Sequence, residues 1–270
     1  MINVITWKWK QPPNPPRNKR KPCEFSAKHV NVLYSMVSRH LHMPFNFICL
    51  TDDPHGINPN IQTIPIWRNY LNTHGCYVRL KAFSNEAKDL LGPKFVSFDL
   101  DCVIVNDITP LFDRDEDFMI WEDSEKRRTP YCCSLWMHKP GTHTHVWKDF
   151  HLNTTMNKVK KAGFVTGTDQ AYLSYKFYPN AATWVKDDGV YNFKIHIMKK
   201  YQTITTNKFK RTIFYKKKSI FDKKLKKETI LINDGSLPEN TKIVFFNGVD
   251  VDPSIPYLQE NYPWIKENWW

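Results

Sequence analysis

The chain has no apolar run of about eighteen residues, the length a membrane-spanning helix needs, which argues against a transmembrane protein. Its opening, MINVITWKW, has neither a basic stretch nor a long apolar stretch, so no secretory signal is expected and the protein is placed in the cytoplasm. None of its six cysteines forms a Cys-x-x-Cys pair. Cys49 and Cys102 fall in apolar strand patterns, which predicts free core thiols rather than disulfides or zinc. No internal repeat is present. Acidic residues nearly vanish between Lys199 and Glu228, where twelve Lys and Arg face only Asp222 and Glu228. That window carries +10 of the net +12, so the charge marks a local basic face and not a generally basic protein.

The 270 residues suffice for one large α/β domain, and the pattern is read as a single domain over 1–270 with a Lys-rich insertion at 199–236. Ile2 to Trp7 reads as a buried strand. Residues 11–22 are Pro-rich and basic, incompatible with a helix or central strand. Ser26 to Leu41 has helical spacing, with Val30, Leu33, Tyr34, Val37 and Leu41 on one face. Strands are expected at Phe45 to Leu50 and Ile61 to Ile66, and a helix from Val78 to Leu91, stopped by Gly92-Pro93. This alternation predicts a mainly parallel sheet covered by helices. Further on, strands are expected at Phe118 to Trp121, Ser134 to Met137 and Ile243 to Phe246, with helices at His143 to Phe150 and Asp169 to Tyr175, the latter capped by Thr168. The basic segment is rich in β-branched and aromatic residues and predicts a hairpin; the Pro- and aromatic-rich tail is expected to wrap over the domain.

The densest chemistry lies in KFVSFDLDCVIVNDITPLF, Lys94 to Phe112. An apolar strand runs into Asp99 and Asp101, and a second apolar strand follows. Carboxylates at i and i+2 of extended backbone point the same way. At the end of a buried strand they cannot both remain charged and unpaired. A divalent cation removes the conflict, and hard oxygen ligands suit Mg²⁺ or Mn²⁺, which also bind phosphates. His143 and His145, at i and i+2 of a helix start, are expected to point apart and to serve surface or packing roles instead of binding a metal.

Several blocks, in order, resemble small bacterial and viral glycosyltransferases related to family 8. They are HVNVLYSMVSRHLHMPFNFICLTDDPHGI (29–57), YVRLKAF (77–83), the Asp-x-Asp block, SLWMHKPGTH (134–143), GTDQAYLSY (167–175), IVFFNG (243–248) and the terminal WIKENW. The resemblance implies an α/β GT-A fold, a Rossmann-like, mostly parallel sheet joined to a mixed acceptor-side region. It implies a nucleotide-sugar donor, a UDP-sugar foremost, bound with Mn²⁺ or Mg²⁺ and used by a retaining hexosyl- or pentosyltransferase. The donor would lie at the carboxyl ends of the first strands, against Thr6, Trp7 and Lys8 and against Thr51 and Asp52. Arg79 and Lys81 fall where the family carries a basic residue near the phosphates, one of the two being an exposed helix residue. Asp99 and Asp101 match the metal motif, Ser134 the donor-sugar strand, and Asp169 and Gln170 the pair that reaches the sugar. Two positions depart from the pattern. Asn247 stands where relatives carry a metal-binding His, and Cys132-Cys133 stand where relatives carry Asn-Ser.

The basic segment adds to the family pattern. Lys208, Lys210, Arg211, Lys216, Lys217, Lys218, Lys223 and Lys224 interleave with Tyr201, Phe209, Phe214, Tyr215 and Phe221, which suits a phosphate backbone with adjacent stacking surfaces. The leading expectation is a viral enzyme, acting in the host cytoplasm, that glycosylates a hydroxylated or hydroxymethylated pyrimidine of phage DNA. The alternatives are a saccharide, lipid or protein acceptor, a solvated Lys-rich insertion, and a non-catalytic nucleic-acid-binding protein on a GT-A frame.

Overall fold

The computed structural model describes residues 1–12, 24–67, 75–123, 129–165, 169–207, 210–213, 225–248 and 250–270, with backbone only across 202–207, 210–213 and 225–229. Alternation builds its first strand, β1 (Ile2–Lys8), in which Ile2 and Val4 face one core while Ile5 and Trp7 face the other. Helix α1 (Ala27–His40) starts where the Ser26 N–H donates to His29 Nδ1, at 3.2 Å, and buries Val30, Leu33, Met36 and Val37. Strands β2 (Phe45–Thr51) and β3 (Gln62–Pro65) follow.

The expected helix from Val78 to Leu91 is two pieces. Tyr77–Phe83 is a 3₁₀ turn, and α2 (Ala87–Leu91) starts after a break. Tyr77, Val78, Arg79, Leu80, Ala82 and Phe83 are all buried, so the segment is packed nearly all round instead of along one stripe. Gly92, at φ +78°, ends α2 as expected.

Next come β4 (Phe95–Phe98), β5 (Cys102–Ile104), α3 (Thr109–Phe112), β6 (Phe118–Glu122) and β7 (Tyr131–His138). Strand β7 begins three residues before the expected start, and all eight of its residues are buried. Helices α4 (His145–Lys148), α5 (Leu152–Lys161) and α6 (Asp169–Phe177) lead to β8 (Ala182–Trp184) and β9 (Val190–Asn192). A π-helical turn, Phe193–Ile197, precedes β10 (Lys200–Asn207), β11 (Lys210–Ile213), β12 (Leu225–Asn233) and β13 (Ile243–Phe245). The tail forms α7 (Pro256–Asn261) and α8 (Pro263–Asn268), each opened by a proline in its first turn.

The seven-stranded central sheet has the order β3-β2-β1-β4-β7-β6-β8. All its pairings are parallel except those made by β7, which runs against both β4 and β6. One face packs under α1, the tail helices and a small sheet, β5-β13-β9; the other packs under Tyr77–Phe83, α2, α5 and α6. The basic segment contributes a third sheet, β11-β10-β12, whose strands pair antiparallel. Thr168 and residues 13–23 lie outside the described residues. No disulfide joins the five described cysteines. Among the described residues no helix is long and apolar enough to cross a membrane.

Candidate active site

The parallel strands β1 and β4 end beside each other, and β7 runs back along β4, so three strand ends and the start of α6 meet at one edge. Asp99 leaves β4 there, with its N–H donating to the Ser134 carbonyl at 2.9 Å. The guanidinium of Arg79 reaches this edge from the 3₁₀ turn. Its Nη1 donates to Asp99 Oδ1 at 2.5 Å and its Nε to Asp169 Oδ2 at 2.7 Å. A third contact runs from Nη1 to the Cys133 carbonyl at 3.3 Å. Burial alone would push the Arg79 guanidinium down, but Asp169, and after it Asp99, hold it well above its ordinary value. It is therefore a permanent internal cation. Lys81, two residues on, points elsewhere: its ammonium lies 3.4 Å from Glu86 and over the Trp67 ring.

Asp169 is almost fully buried. Its second oxygen accepts the Gln170 N–H at 2.9 Å, so both oxygens are engaged, while Gln170 itself is partly exposed. On the other side of Asp99, the Ser134 hydroxyl donates to Oδ2 at 2.7 Å and lies 2.9 Å from Asn247 Oδ1. The Asn247 amide nitrogen donates to Cys132 Sγ at 3.4 Å, and Cys132 Sγ is 3.3 Å from Ser134 Oγ. Burial, followed by the charge of Asp123, pushes the Cys132 thiol up to about 12, so it remains protonated. The Cys132-Cys133 pair thus lies inside β7: Cys132 contacts Asn247, and the Cys133 carbonyl receives Arg79.

Asp101 is 7 % exposed, and its carbonyl accepts the Phe246 N–H at 2.7 Å, which ties β5 to β13. Burial first, and the Asp99 charge second, hold its carboxyl well above the ordinary range. The corner is rich in oxygen and poor in donors. Asp99, Asp101 and Asn247 offer oxygen lone pairs, and the one Ser134 proton is shared between two of them. That donor set fits a hard divalent cation which completes its shell with water and ligand oxygens. Among the described residues no three His, Cys, Asp or Glu side chains form a ready-made metal cage.

The residues expected to meet the nucleotide divide by depth. Thr6 is fully buried and donates to the Phe98 carbonyl at 3.0 Å, and the Trp7 indole N–H donates to Ser97 Oγ at 2.8 Å. These two bind β1 to β4. Lys8 donates to the Asp53 carbonyl at 2.7 Å, the Thr51 hydroxyl accepts the Asp53 N–H at 3.1 Å, and Asp52 accepts the Lys10 N–H at 3.0 Å. They shape the loop after β2. Thr51, Asp52, Pro54, Ile64 and Ile66 line an open cleft of about 330 Å³ at the carboxyl ends of β2 and β3.

Lys208, Lys216, Lys217, Lys218, Lys223 and Lys224 lie outside the described residues. Lys210 and Arg211 lie on β11, described by backbone alone. Sequence reasoning passed over Asn192, whose amide donates to the buried Asp123 at 3.0 Å, and over the contacts of Cys132. An acidic residue just after the apolar strand FMIWE was the available signal for Asp123.

No protein-family model and no curated protein sequence matches the chain. Among solved structures it resembles the galactosyltransferase LgtC. An active-site mutant of LgtC superposes with a TM-score of 0.53 at 10% identity, covering 99% of this chain and 96% of that one. LgtC in complex with donor and acceptor sugar analogues gives 0.52 at 12% identity, with the same coverage. Likeness at such identity is likeness of architecture, and by it the chain has the GT-A fold, an α/β frame with a mostly parallel central sheet.

Proposed function

We propose that the chain is a metal-dependent glycosyltransferase that moves a sugar from a nucleotide-sugar donor, a UDP-sugar foremost, to a hydroxyl acceptor. One observation carries the reading. At the carboxyl edge of a GT-A sheet, the Asp99 and Asp101 carboxylates, the Asn247 amide and the Arg79–Asp169 ion pair converge in a corner with more oxygen lone pairs than protons.

Asp99, Asp101 and Asn247 are the residues that would hold Mn²⁺ or Mg²⁺, which supplies neutralisation of the departing diphosphate. The chain's own groups prepare the site. Arg79 and Ser134 fix both oxygens of Asp99, which leaves its remaining lone pairs in a set direction. Asp169, through its second oxygen, fixes the backbone of Gln170, whose partly exposed side chain is the one that would hydrogen-bond the sugar. The cleft beside Thr51 and Asp52 is the proposed place for the base and ribose.

For the acceptor, we favour a hydroxylated or hydroxymethylated pyrimidine in viral DNA, reached in the groove or after extrusion from the duplex. The support is the charge of the 199–228 window and its antiparallel strands β10 to β12. A lipid-linked or saccharide acceptor at an anionic surface is a second reading, favoured by Ile230, Leu231 and Ile232, exposed by 45%, 47% and 60%. Mass spectrometry of hydroxymethylated DNA after incubation with UDP-sugars and Mn²⁺ decides between them. A sugar-sized mass increase on the base supports DNA. Nucleotide turnover with lipid-linked acceptor and none with DNA transfers the proposal to the second reading. DNA binding without turnover of any donor would mark a non-catalytic nucleic-acid-binding protein.

A further inference from the structure

The proposed reaction needs a counter-charge for the leaving diphosphate, and the residues expected to give it are occupied. Arg79 is 5 % exposed, with Nε and Nη1 committed to Asp169 and Asp99. Lys81 pairs with Glu86. Asp99, Asp101 and Asp169 outnumber Arg79 by two charges when ionised, so a divalent cation only balances the corner. An arriving diphosphate, even with that cation as a ligand, then adds negative charge that the corner as a whole does not balance.

Strands β9 and β13 are parallel, in register from Val190 with Ile243 to Asn192 with Phe245. The chains continue side by side: the Phe193 and Phe246 rings stack at 4.5 Å, and the next residues are Lys194 and Asn247. The ammonium of Lys194 then lies against Gly248, where a Cβ would stand 2.6 Å from Nζ. Glycine at φ +131° lets the ammonium close on the backbone one residue past the metal-facing amide. Lys194 donates to Asp250 Oδ1, in a pair whose side chains are 30% and 71% exposed. The ammonium is open to an incoming anion, and the exposed carboxylate can swing away from it.

We propose that Lys194 binds the donor's diphosphate and that Asp250 holds the ammonium in place until the nucleotide replaces it. This rests on the glycosyltransferase reading above and assigns that site a residue from a different element than the strand ends. A lysine is suited to the role, because a compact ammonium on a flexible stem can exchange a carboxylate for a phosphate without moving the backbone.

Calorimetry with UDP in the presence of Mn²⁺ tests it, with uridine and Mn²⁺ alone as controls, on wild type, Lys194→Met, Lys194→Arg and Asp250→Asn. Lys194→Met is expected to weaken UDP binding about tenfold or more while uridine and Mn²⁺ bind as in wild type. Lys194→Arg should stay within about threefold of wild type, and Asp250→Asn should bind UDP as tightly or more tightly. Wild-type UDP affinity in Lys194→Met overturns the proposal while leaving the glycosyltransferase reading standing. A clear loss in Asp250→Asn overturns the holding role of Asp250. Wild-type protein that binds no UDP, ADP or GDP with Mn²⁺ overturns the reading and this inference together.

Discussion

Replacing Arg79 with Met tests the electrostatic core of the site while every proposed metal-holding residue is kept. Arg79 donates to Asp99 and Asp169 at 2.5 and 2.7 Å, and the side chains of the two acceptors are 28% and 3% exposed. Asp99 can turn to water once the guanidinium is gone, so its share is small. Asp169 cannot, and breaking a buried pair from one side costs about 3–5 kcal/mol. We expect Arg79→Met to lose about 4 kcal/mol in urea unfolding followed by circular dichroism in EDTA. At about 2 cal/mol/K of unfolding entropy per residue, a 270-residue chain should then melt about 7 °C lower. Adding Asp169→Asn should return about 2 kcal/mol, because the orphaned charge disappears. The sign with pH follows. Without Arg79, the buried Asp169 holds its proton more tightly folded than unfolded, so the variant's stability falls, relative to wild type, as pH rises above the ordinary carboxylate range. A loss below about 1 kcal/mol, or a double variant no more stable than Arg79→Met, would refute this reasoning.

Acid sensitivity should also trace to His138, whose ring sits 4.4 Å from Phe83 and whose Nε2 has no hydrogen-bond partner among the described residues. Burial pushes this imidazole from 6.5 down to about 3, so stability is present above the unfolded value and is lost as pH falls below 6.5. Urea titrations should show about 2 kcal/mol lost between pH 7 and pH 5 that is absent from His138→Phe; equal losses would remove His138 as the cause. Gly189 ends a turn at φ +89°, where a Cβ would stand 2.3 Å from the Asn240 carbonyl. Gly189→Ala should cost about 2 kcal/mol or more by thermal melting, and a neutral change would mean the turn can rearrange. Changing the lysines of 216–227 to Gln should abolish salt-sensitive DNA binding in gel shift; unchanged affinity would end the DNA proposal.

The frame was legible where local pattern decides structure. Strand alternation from Ile2 to Trp7, the α1 stripe and the Gly92-Pro93 stop all follow from side-chain period and backbone preference. The turn at Tyr77–Phe83 was misread as a helix because burial on all sides removes the period that tells the two apart. Helix α5, LNTTMNKVKK, passed unnoticed, since it buries only Thr155 and Val159. In the site, Asp99 and Asp101 announced themselves by spacing. Arg79, Ser134, Asp169 and Asn247 were named only through the family resemblance, and their contacts not at all, because Arg79 meets Asp169 across 90 residues and Ser134 meets Asn247 across 113. No local pattern records such contacts. The same holds for Lys194, which parallel pairing of β9 and β13 carries to Asn247. The strand-end position of Thr6 and Trp7 suggested ligand contact, but both point inward and tie β1 to β4.

Asp99 and Asp101 are proposed above to serve a nucleotide-sugar. The direct measurement is release of UDP from a panel of UDP-sugars, with Mn²⁺ and with EDTA, by wild type and Asp101→Asn. Release by wild type should need the metal and fall by about a hundredfold or more in Asp101→Asn, with the variant still folded. Release that is indifferent to EDTA and to Asp101→Asn, or no release from any sugar nucleotide by the wild-type protein, would contradict that proposal.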